Sequence, residues 1–184
     1  MGTQGPTYAI QEHNALSLIE QRLLALQTSG AIDRAQAVLK QQGIASIEQP
    51  KPVQGLRHTD QARRFEKDLS IVVAKDIQGA KGELIQKAGT KINPLKKFFS
   101  KKILLFLDGT NTEQLSWAMN EYQKNQGLCK MVLVNGPPLA LMRSHALPFY
   151  FDQSSRLVHY FGIEQVPAKV FQRGDKLCIE ELKL

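Results

Sequence analysis

Residues 152–182, DQSSRLVHYFGIEQVPAKVFQRGDKLCIEEL, constrain the fold more than any other stretch of this chain. Leu157, Val158, Phe161 and Ile163 give a short helix an apolar face, and Gly162 ends it. Val166-Pro167-Ala168 then leads into two short strands, Lys169–Phe171 and Leu177–Glu180, with Gly174-Asp175 as the hairpin turn. A proline at a strand start is ordinarily trans; a cis bond there is reached cheaply only because the residue is proline.

The segments before it supply a sheet for that hairpin. Ile103–Leu107 is a continuous apolar run, the pattern of a central strand covered on both sides. Asn111 or Thr112 can cap a helix marked by Leu115, Ala118, Met119 and Tyr122, which Gly127 ends. Met131–Val134 is the next buried strand, Pro137-Pro138 start a short helix through Met142, and Phe149–Phe151 is another short strand. The alternation predicts a mixed sheet with helices covering it.

The N-terminal part is organised differently. Leu16, Ile19, Leu23 and Leu26 recur at spacings of three and four, one stripe on a helix. After Gly30 the pattern resumes at Ile32, Ala35, Val38 and Leu39, and Gly43 is expected to end it. The helical arm thus covers residues 8–43. It is either a helical hairpin packed on its own domain or a helix offered to a partner. Residues 45–62, with Pro50, Pro52 and Gly55, read as a linker. Residues 63–99 read as a small β unit, in which Leu69, Ile71 and Val73 alternate and Leu84, Ile85 and Ile92 mark return strands. The run Lys96-Lys97-Phe98-Phe99-Ser100-Lys101-Lys102 closes it. Such a run can hold phosphates and stack bases, but is more commonly a solvated lead-in to a strand with its phenylalanines packed inward.

Charge and residue inventory narrow the chemistry. The net charge of +7 permits anionic partners without requiring them. No apolar run approaches a membrane span, and Met1–Ile10, polar and glycine-rich, is not expected to act as a secretion signal. The four histidines, His13, His58, His145 and His159, lack metal-binding spacing, and the aspartates are scattered at turns. Neither a catalytic set, a cofactor site nor a metal site is expected. Cys129 and Cys178 fall on strands expected to lie three spacings apart, about 14 Å, beyond disulfide reach, with Cys178 at the sheet edge.

Helix, glycine-ended turn, Val-Pro and terminal hairpin resemble the second half of a thioredoxin fold, in which the proline bond is cis. The expected architecture is α/β: a degenerate thioredoxin-like domain at 100–184, the small β unit at 63–99, the linker at 45–62 and a helical arm at 1–44. A redox member carries Cys-x-x-Cys where the first central strand meets its helix; here that stretch is Asp108-Gly109-Thr110-Asn111-Thr112-Glu113-Gln114-Leu115, without a thiol nucleophile.

More of the chain resembles the TraW family of pilus-assembly proteins of F-type conjugative type IV secretion systems. The matching pieces are Tyr8–Glu12, Phe65–Ile71, Asp76-Ile77, Ala88–Leu95, Leu105–Gly109, Tyr150–Gln153, Phe161–Ile163 and Val166–Ala168, in that order. Leu69 stands where a proline is expected. The resemblance implies a periplasmic protein without catalytic activity that acts beside TrbC-like and TraU-like partners. On this reading Leu16, Ile19, Leu23 and Leu26 on the arm, and Thr110, Asn111, Val166 and Pro167 on the face that lost its thiols, are the candidate partner-binding residues. The rival functions are thiol–disulfide exchange through a single cysteine and DNA contact through Lys96–Lys102.

Overall fold

Apolar content fixes the centre of the sheet. In the computed structural model, which describes residues 14–184, Ile103–Asp108 lies among six strands and carries Leu105, Phe106 and Leu107 fully buried. The first match of the TraW resemblance, Tyr8–Glu12, together with His13 and the start of the arm, lies outside the described residues. The chain divides into two compact units, one ending at Ala45 and one comprising Ser46–Leu184.

The first unit is helical. Helix α1 spans Ala15–Thr28, and Asn14 caps it by accepting from the Leu16 N–H at 3.0 Å. Gly30, with φ of 65°, supplies the left-handed turn into helix α2, Ala31–Glu48. The helix does not stop at Gly43 as expected. A glycine inside a helix costs only about 1 kcal/mol, and Ile44, Ala45 and Ile47 carry the helix on until the approach of Pro50. Neither helix contains a buried residue.

The second unit contains twelve strands: β1 Arg57–His58, β2 Arg63–Lys67, β3 Ile71–Val72, β4 Ile77–Gln78, β5 Leu84–Gln86, β6 Lys91–Ile92, β7 Ile103–Asp108, β8 Cys129–Asn135, β9 Phe149–Phe151, β10 Gln165–Val166, β11 Ala168–Arg173 and β12 Lys176–Glu181. Helices α3 Thr112–Lys124, α4 Pro138–His145 and α5 Arg156–Phe161 complete it, with single 3-10 turns at Pro94–Lys96 and Gln153–Ser155. The main sheet has the order β2-β12-β11-β7-β8-β9. Strands β7, β8 and β9 run parallel, as their helical crossovers require, while β11, β12 and β2 pair antiparallel. This is a mixed α/β fold.

Two apolar clusters fill the two faces. On one, Leu105, Leu107, Met131, Leu133 and Phe149 meet Ala118, Leu115 and Trp117 of α3 and Leu141 of α4. On the other, Phe106, Val132, Val170 and Ile179 meet Val158 and Phe161 of α5, together with Val53 and Leu56 from the expected linker. The Phe106 and Phe161 rings meet edge to face at 5.9 Å. Gly162, with φ of 73°, caps α5, and the Val166–Pro167 bond that follows is cis.

Several expectations need correction. Arg63–Lys67 is not part of the small β unit but the outermost strand of the main sheet, paired with β12 along its length. Cys178 therefore lies one strand in from the edge. The alternation at Leu69, Ile71 and Val73 yields only the two-residue strand β3, paired with β6, while β4 pairs with β5. Phe98 and Phe99 do not pack inward; they are 74% and 69% exposed.

Candidate functional site

The expected groove lies where the carboxyl ends of β7 and β8 approach the Pro167 turn. Its polar residues are set by local geometry. Asp108 closes the turn after β7, its Oδ1 accepting from the Thr110 N–H at 2.8 Å and the Thr110 hydroxyl at 2.6 Å. Its Oδ2 accepts from Asn135 at 3.2 Å, which ties the ends of the two parallel strands together. Asn111 Oδ1 accepts from the N–H groups of Glu113 and Gln114 and caps α3. Gln114, buried, accepts from the Asp108 N–H at 2.8 Å. Thr110 and Asn111 thus spend their side-chain oxygens on the fold.

Val166 and Pro167 are buried, and the backbone edge at Val166 is already paired. The partner is the chain's own segment after the arm. Strand β1 lies parallel to β10, with Arg57 opposite Gln165 and His58 opposite Val166. The Arg57 N–H donates to Glu164 O at 3.2 Å and the Thr59 N–H to Val166 O at 3.0 Å. Upstream, the Val53 N–H donates to Val134 O at 2.8 Å. His58 Nδ1 sits 3.2 Å from Val166 O and 3.5 Å from Gln114 Nε2. A cleft of about 310 Å³ remains between His58, Asn111, Gln114, Asn135, Leu56 and Val166. Thr59 is buried with its hydroxyl unpartnered.

One network holds this turn from below. Glu181 is 1% exposed and accepts from Arg63 Nε and Nη2, both at 2.8 Å. It also accepts from the N–H groups of Glu164 (2.8 Å) and Gln165 (3.3 Å) and from Gln165 Nε2 (3.2 Å). Burial pushes its carboxyl up, but the Arg63 bonds and the two backbone N–H groups outweigh that and hold it below the ordinary 4.5. Sequence reading missed Arg57, His58, Thr59, Arg63 and Glu181. The prolines around them signal a linker, and a lone Glu on a terminal strand gives no sign of its burial.

The structure brings Thr110, Asn111, Val166 and Pro167 into one region, and Leu16, Ile19, Leu23 and Leu26 are all exposed on α1. The thiols are far from the groove's edge: Cys129 opens β8 and Cys178 lies on β12, with β7 and β11 between them. Both are buried and unpaired. Burial pushes the Cys129 thiol up, while Cys178 Sγ accepts from Arg64 Nε at 3.1 Å. Among the described residues no three His, Cys, Asp or Glu side chains cluster as a metal site. Nor is any described helix long and apolar enough to cross a membrane.

No protein-family model matches the chain. No solved structure matches it either. Among curated proteins it is similar to Protein TraW of Escherichia coli (strain K12), 31% identical over 172 residues covering 92% of this chain and 80% of that protein. With that identity sustained over 92% of this chain and four fifths of its relative, this protein belongs to the TraW family.

Proposed function

We propose that the protein is a non-enzymatic assembly factor of an F-type conjugative pilus, acting in the periplasm by protein–protein interaction beside TrbC-like and TraU-like partners. Family membership supports the conjugative setting. Within the fold, the strand order β12-β11-β7-β8 and the hairpin after the Pro167 turn support a thioredoxin-like domain. Its β7–α3 junction, where a redox member would carry its thiols, is an Asp108–Asn111 turn.

The observation that carries the reading is the exposed apolar face of α1. Leu16, Leu18, Ile19, Leu23, Leu24 and Leu26 are all exposed within fourteen residues of helix, and no residue of that helix is buried. Such a surface needs a cover in its working state. The Pro167 groove is the weaker partner surface, because Arg57–Thr59 already uses the Val166 edge.

The test is co-purification of the tagged full chain from the periplasm of a conjugating donor, with and without Leu23→Glu. Placing a charge in a docked interface costs several kcal/mol, so capture of the partners and pilus assembly should both be lost. Undiminished capture by the variant would move the partner surface off the arm. Thiol exchange is the rival reading, and insulin reduction unchanged by Cys178→Ser would exclude Cys178 as its nucleophile.

A further inference from the structure

We infer that residues 68–102 form a docking surface for an anionic lipid bilayer, with Phe98 and Phe99 as its inserted tip. This stretch holds eight lysines and no arginine against Asp68, Asp76 and Glu83, so it carries five of the chain's seven net positive charges. Lys96 pairs with Asp175 at 3.8 Å and Lys91 with Asp68 at 3.5 Å. Lys97, Lys101 and Lys102 are exposed, and none has an ion-pair partner among the described residues.

The phenylalanines are presented by a fixed base. After the turn at Pro94–Lys96, Phe98 N–H donates to Pro94 O at 3.0 Å. The two ends of the excursion are then clamped by one buried side chain. Gln172 Nε2 donates to Leu95 O at 3.1 Å and to Gly174 O at 2.8 Å, while its Oε1 accepts from the Ser100 N–H at 2.7 Å. The loop is therefore held at its root while two adjacent aromatic rings stand in solvent, ringed by lysine. An apolar tip inside a cationic collar matches a bilayer surface, where acyl chains receive the rings and headgroups the ammonium groups.

Two features favour lipid over nucleic acid. The other large apolar side chains exposed between residues 68 and 102, Ile71, Val72, Ile77, Leu84 and Ile85, are aliphatic and offer no face for a base to stack on. The positive charges of the stretch are all lysine, a point charge sufficient for a surface potential, and the stretch lacks the planar arginine fork suited to bidentate recognition of phosphates and bases.

The experiment is sedimentation of the full chain with vesicles of phosphatidylcholine alone or of phosphatidylcholine and phosphatidylglycerol in equal parts, at low and high salt. A single-stranded oligonucleotide is titrated in parallel. The variants are Phe98→Ser/Phe99→Ser and Lys97→Gln/Lys101→Gln, all at exposed positions, with circular dichroism to confirm their fold. The expected result is binding to the anionic vesicles only, weakened by salt. Removing each lysine should reduce it about fivefold, and removing both rings at least tenfold. No binding by the unaltered chain, binding indifferent to the ring substitutions, or tighter binding to the oligonucleotide than to anionic vesicles would each overturn the proposal.

Discussion

Replacing Glu181 with alanine tests the claim that its carboxylate holds the Pro167 turn. Five hydrogen bonds converge on it, two from Arg63 and three from Glu164 and Gln165. Each charge-assisted bond is worth about 1.5–3 kcal/mol in a buried setting, but the sum overstates the loss. The Arg63 side chain is 39% exposed, so its half of the ion pair is screened and re-solvates when the partner goes. The carboxylate that the substitution removes is the buried half; its loss leaves the Glu164 and Gln165 N–H groups without this acceptor, and breaking a buried pair costs about 3–5 kcal/mol. The discount for Arg63 puts Glu181→Ala near the bottom of that range, about 3 kcal/mol. For a chain of this size each kcal/mol moves the melting midpoint by about 2–4 °C, giving a drop of roughly 6–12 °C at neutral pH. The pH dependence carries a sign. The folded carboxyl titrates below its ordinary 4.5, so its contribution is complete above the unfolded value and is lost as pH falls through the folded one. The gap between parent and variant, measured by thermal unfolding, should be full at pH 7 and shrink below pH 4.5. A loss under about 1 kcal/mol at pH 7, or a gap that does not change with acid, would refute the reasoning.

Three further outcomes follow from the same structure. Thr59→Val should leave the protein as stable as before or up to about 1 kcal/mol more so, because the buried hydroxyl has no partner to lose; chemical denaturation measures it. Thiol titration of the monomer under denaturing, non-reducing conditions should find two free thiols, since two strands intervene between Cys129 and Cys178. Leu23→Glu should shift the unfolding midpoint of the Ser46–Leu184 unit by no more than about 0.5 kcal/mol equivalent, because the side chain is 53% exposed.

The centre of the fold was legible because its residues are apolar without interruption. Ile103–Leu107 and Met131–Val134 admit few other readings, and the helix, turn and hairpin of 156–181 are marked by Gly162 and Gly174-Asp175. The edges were not legible. Arg63-Arg64-Phe65-Glu66-Lys67 offers one apolar side chain because much of an outermost strand meets water; its strand character comes from pairing with β12, which no local pattern encodes. Arg57–Thr59 was hidden for a related reason. Its pairing with Gln165–Val166 spans more than a hundred residues, and the prolines before it argue for a free tether. The helix through Gly43 shows that one unfavourable residue is outweighed by the good helix formers around it, and Phe98 and Phe99 show that apolar character alone does not decide which way a side chain faces.

The stitching of Val53–Thr59 onto the sheet also decides where mechanical load goes. A segment free over its whole length would stretch under tension and leave the sheet untouched. Here the chain leaving α2 meets its first fixed point at the Val53–Val134 hydrogen bond and then runs alongside Gln165–Val166. A pull along that strand loads the Arg57 and Thr59 bonds side by side, in shear, so they share the force instead of opening one after another. Load entering at Val53 is thereby delivered to the carboxyl end of β8 and to the Pro167 turn.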